Sequence, residues 1–146
     1  MIDWLNAIYV GVHAFYAQLS VAMLIMLLSI FLPRWPFWAQ QKRGWSIFLL
    51  SVAAIFYPLA LGLGRFDPYA AGYDQRLLIV CAGCALLSVW RYPLISIWLT
   101  LAAVAHAAQW GESNNLWDYL FDPLAVIWVL LAFMRTHFRG SKHANI

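Results

Sequence analysis

The chain has 146 residues, of which 64% are hydrophobic and only 10% charged, with a formal charge of +3 and a mean hydropathy of +0.73. A soluble domain carries about 25% charged residues, so this composition excludes an ordinary water-soluble fold and predicts a polytopic all-α membrane protein with no separate soluble domain. The cations lie in short loops beside apolar segments, which accounts for the positive charge without a nucleic-acid partner.

In chain order, five apolar segments are expected as spans: residues 5–32, 45–64, 77–90, 94–109 and 123–134. The first holds the run VAMLIMLLSIFL and, at 1.5 Å per residue, reaches about 40 Å, so it should tilt or project. Pro33, Arg34, Trp35 and Pro36 close it in an interfacial turn, and residues 40–44 form a basic loop. Pro58 is placed to kink the second span near its outer end. The third and fourth segments, joined by Arg91-Tyr92-Pro93, are short for a core of about 30 Å and read as a shallow hairpin. In a competing arrangement they re-enter, which leaves three true spans. A loose basic tail, residues 135–146, ends the chain.

This layout sorts the charges. Asp3, Asp67, Asp74, Glu112, Asp118 and Asp122 all fall on one side, and Arg34, Lys42, Arg43, Arg91, Arg135, Arg139 and Lys142 on the other. Only Arg65 and Arg76 stay with the acids. The positive-inside rule then sets the N-terminus outside and the C-terminus in the cytoplasm. Asp3 and the length of the first apolar stretch argue against a cleaved signal peptide, and the arrangement suits a bacterial inner membrane.

The outer loops, residues 65–76 and 110–122, are the richest in chemistry. Both contain Phe-Asp-Pro, at Phe66-Asp67-Pro68 and Phe121-Asp122-Pro123, where Asp can cap a helix and Pro can occupy its first position. Capping alone explains those residues. It does not explain Asn114, Asn115, Trp117 and Tyr119 in the same loops, which suit a folded outer cap or a site for a polar headgroup or sugar. On the first helix Asn6, Tyr9, His13, Tyr16 and Ser20 recur at three- and four-residue steps, so they form one polar face, either helix–helix contact or the wall of a pocket. Gln18 lies off that face. The expected ligand site therefore combines Tyr9, His13 and Tyr16 with Asp67, Asp118 and Asp122. Arg65 and Arg76 are candidates for an anionic group, although local ion pairs with Asp67 or Asp74 would also account for them.

Redox readings rest on fewer residues. His13 and His106 lie in the same leaflet and could ligate a haem b; the alanine-rich run 102–108 would admit a flat macrocycle, and would equally serve close helix packing. Cys81-Ala82-Gly83-Cys84 resembles the CxxC of quinone-coupled thiol oxidases of the bacterial membrane. Those enzymes use a second cysteine pair as a relay, and this chain has only two cysteines; packing as small apolar residues explains both. Phosphate-cradling, HExxH and zinc-spacing motifs are absent from the sequence. The expectation is a non-catalytic accessory or ligand-binding subunit of a larger membrane complex, contacting lipid and a membrane-protein partner or its own copies. The alternatives are a redox protein and a homo-oligomeric channel or carrier.

Overall fold

The computed structural model describes residues 19–31 and 36–143, with side chains described as far as Arg135. The described residues are helical, with no strand among them: α1 (Val21–Phe31), α2 (Pro36–Ala60), a 3-10 turn (Ala70–Tyr73), α3 (Gln75–Ser88), α4 (Pro93–Ala107), α5 (Leu116–Leu120) and α6 (Pro123–His143). Among the described residues α2 alone is, by length and composition, long and apolar enough to cross a membrane. The apolar parts of α1, α3, α4 and α6 are shorter.

α3 and α4 pack as a hairpin, α4 also contacts α1, α2 and the short α5, and α6 lies against α1 and α2. The interior is built largely from tryptophan and branched aliphatics. Trp45 of α2 is fully buried and meets Trp98 of α4 edge to face, with ring centroids 6.1 Å apart. Phe48 meets the same indole at 6.0 Å. Such pairs contribute about 0.5–1.5 kcal/mol each beyond the area they bury. The Trp98 indole N–H donates to the Leu120 carbonyl at 2.8 Å, which fastens α5 down onto α4. The outward face of α3 and the turn after it are apolar: Ile79, Leu86, Leu87 and Trp90 are all more than two-thirds exposed.

Four sequence expectations are corrected. The first apolar segment is not one continuous helix: Leu19 and Ser20 are non-helical, and α1 begins at Val21 because Ser20 caps it, its Oγ accepting from the Met23 N–H at 3.1 Å. Residues 40–44 are not a loop but part of α2, which starts at Pro36, where a missing N–H costs nothing, and runs on through Gly44. That helix ends at Ala60 rather than 64; Gly62, at φ +85°, takes the left-handed conformation that lets the chain turn away. The tail is helical to His143, so charged residues continue α6 beyond its apolar part, as good helix formers do.

Candidate functional site

The two outer loops interlock, and the centre of the joint is Asn115. Its side chain is fully buried; Oδ1 caps α5 by accepting from the Trp117 N–H at 3.0 Å, and Nδ2 donates to the Tyr69 carbonyl at 2.9 Å. The Trp117 indole donates to the Pro68 carbonyl at 2.8 Å, so two side chains of one loop hold backbone carbonyls of the other. The Tyr69 hydroxyl donates to Asp118 at 3.1 Å, and the Ser113 hydroxyl donates to the same carboxylate at 2.5 Å. Gly72 is required by this contact, because a Cβ there would land on the Asn115 amide and the Trp117 ring. Beneath the joint, Phe56, Tyr57, Tyr69, Trp117 and Phe121 form one aromatic cluster, with Phe56 and Trp117 centroids only 4.6 Å apart.

A second joint lies between α1 and α6. Ser20 Oγ donates to Asp122 Oδ2 at 2.6 Å, while Asp122 Oδ1 accepts from the Ala125 N–H at 2.8 Å. Each side chain therefore caps its own helix, and the pair ties two helix N-termini together.

Between these joints lies a cavity of about 880 Å³. Helix residues Leu24, Ile25, Leu28, Phe56, Leu101 and Ala105 supply an apolar wall, and loop residues Asp67, Tyr69, Glu112, Ser113, Asp118 and Asp122 a polar end. Asp67, Glu112 and Asp118 are solvent-exposed, which marks that end as open. Leu28 and Leu101, 51% and 49% exposed, mark a second opening through the apolar wall. Burial, then the charge and hydrogen bond of Asp118, push the Tyr69 phenol well above its ordinary pKa, so it remains a donor.

Of the residues expected at the site, Asp67, Asp118 and Asp122 line this cavity together. Tyr9, His13 and Tyr16 lie outside the described residues. Asp122 caps α6 as its sequence predicts, whereas Asp67 accepts from the Tyr69 N–H at 2.9 Å and starts a turn leading to the 3-10 segment. Arg76 is not in a loop but in the first turn of α3, where it pairs with Asp74 at 3.4 Å, and Arg65 is exposed; neither lines the cavity. His106 donates from Nε2 to the Asn114 carbonyl at 3.1 Å and stands edge-on to Tyr119, bracing the second loop. Cys81 is buried in the core and Cys84 half-buried, both in mid-helix rather than at a helix start, and both are free.

The roles of Ser20 and Asn115 escape a sequence reading, although Asn115 followed three residues later by Asp118 is a capping pattern. Among the described residues no group of three or more His, Cys, Asp or Glu could hold a metal. No family model, curated protein or solved structure matches the chain.

Proposed function

We propose that this chain is a small polytopic membrane protein that holds an amphipathic ligand in the outer leaflet, as an accessory or ligand-binding subunit of a membrane complex in a bacterial inner membrane. The membrane reading draws on the sorted charges and on helices whose outward faces are apolar. In that setting α2, α3, α4 and α6 are crossing helices, with the loops around residues 65–74 and 108–122 outside and the basic end of α6 in the cytoplasm.

The single observation that carries the ligand reading is the cavity. Its apolar wall has the chemistry of an alkyl chain, its polar end that of a headgroup, and its opening at Leu28 and Leu101 would face lipid. Cavities of about 300–1,000 Å³ hold drug-sized ligands. The test is purification from native membranes in mild detergent, read by mass spectrometry for bound amphiphiles and protein partners. Wild type should retain an amphiphile that Ala105→Trp and Ala60→Trp, each filling the cavity, displace. Equal retention in all three would remove the cavity from the account.

A further inference from the structure

The loop end of the cavity has a one-sided charge. Every charged side chain lining it is a carboxylate (Asp67, Glu112, Asp118 and Asp122), and no Lys, Arg or His of the described residues joins them. Arg65 and Arg76, the two cations on this side, are both outside the lining, and Arg76 is paired with Asp74. Aromatic rings share the same end: Tyr57, Tyr69, Trp110 and Trp117. A phosphate head would be repelled there and find no guanidinium. A cation would gain both the carboxylates and the electron-rich ring faces, the combination that binds ammonium groups.

Resting on the amphiphile reading above, we infer that the ligand is an outer-leaflet amphiphile with a positively charged head, an amine or quaternary ammonium, on an alkyl chain. The chain lies along Leu24, Ile25, Leu28, Leu101 and Ala105, and the head sits among Glu112, Asp118 and the rings. The formal charge of the whole protein is +3, so non-specific attraction would favour anions. A preference for cations would therefore arise at the site.

The test places the purified full-length chain in maltoside micelles with equimolar dodecyltrimethylammonium and dodecyl phosphate, and counts adducts by native mass spectrometry. The expected result is a cationic preference of at least about tenfold, equivalent to about 1.4 kcal/mol. Glu112→Gln with Asp118→Asn, which keeps acceptors for Tyr69 and Ser113, should reduce it below about threefold. Asp74→Asn, outside the cavity, should leave it unchanged. Equal binding or a phosphate preference, with adducts displaced by Ala105→Trp, overturns the headgroup inference alone. A cationic preference indifferent to the carboxylate substitutions also overturns it. No adduct of either amphiphile overturns both this inference and the amphiphile reading.

Discussion

Replacing Asn115 by Ala removes the one side chain that both starts α5 and holds the neighbouring loop. Two hydrogen bonds disappear, to the Trp117 N–H and to the Tyr69 carbonyl. Loss of a cap costs about 1 kcal/mol, and the second bond contributes about 0.5–1.5 kcal/mol, since the Tyr69 carbonyl keeps the Gly72 N–H as a donor. Docking of the outer loops should therefore weaken by about 1.5–2.5 kcal/mol, or about 10- to 70-fold in the opening equilibrium. Asn115→Ser keeps an acceptor for Trp117 and loses the Tyr69 bond, so its effect should fall between Ala and wild type. Amide hydrogen exchange reads this directly, because the Gly72 and Asp118 N–H groups bond within the two loops, to Tyr69 and Asn115. Their protection should drop in the order wild type, Ser, Ala, while amides inside α2 are unchanged. Unaltered exchange in Asn115→Ala, or a uniform loss through the whole chain, would refute the idea of a separately docked cap.

Three further outcomes are expected. Gly72→Ala should cost about 1–3 kcal/mol through overpacking against Asn115 and Trp117, seen as a lower thermal unfolding temperature and loosened exchange in residues 68–74. Ser20→Ala should cost about 1 kcal/mol by removing the α1 cap, and combining it with Asp122→Ala should cost less than the sum of the two single changes, because they share one hydrogen bond; additive losses would contradict the pairing. For Tyr69 the pKa is raised in the folded state, so its contribution is complete below the unfolded value of 10.0 and is lost as pH rises from there through the higher folded value. Phenolate absorbance should lose one late-titrating tyrosine in Tyr69→Phe, and loop protection factors, referred to the intrinsic exchange rate at each pH, should be flat below pH 10 and fall above it.

The helices were legible because their signals are local. Proline at 93 and 123 marks two starts within a residue, and Asp122 is a cap on sequence grounds alone. The errors came where local signals compete. Phe66-Asp67-Pro68 has the same form as Phe121-Asp122-Pro123, yet Asp74, seven residues after Asp67, caps the next helix, so the first motif has room only for a turn and a 3-10 segment. The VAMLIMLLSIFL run hid the break before it, since Ser20 looks like one more polar residue on a helix face. Its partner Asp122 lies 102 residues away, beyond any periodicity. Loop composition singles out Asp67, Asp118 and Asp122, but not Glu112, which lines the same cavity. What joins them, Asn115 across 46 residues to Tyr69 and Trp117 across 49 to Pro68, depends on how the loops meet in space.

The central claim is that the carboxylate-lined end of the cavity and the basic start of α2 face opposite sides of a membrane. In a Cys81→Ala/Cys84→Ala background, single cysteines introduced as Glu112→Cys and Gln40→Cys, both at exposed positions, would be treated with a membrane-impermeant maleimide in intact cells. The account predicts labelling of Glu112→Cys at once and of Gln40→Cys only after permeabilisation. Labelling of both without permeabilisation, or of neither until the membrane is opened, would place both positions on one side and contradict it.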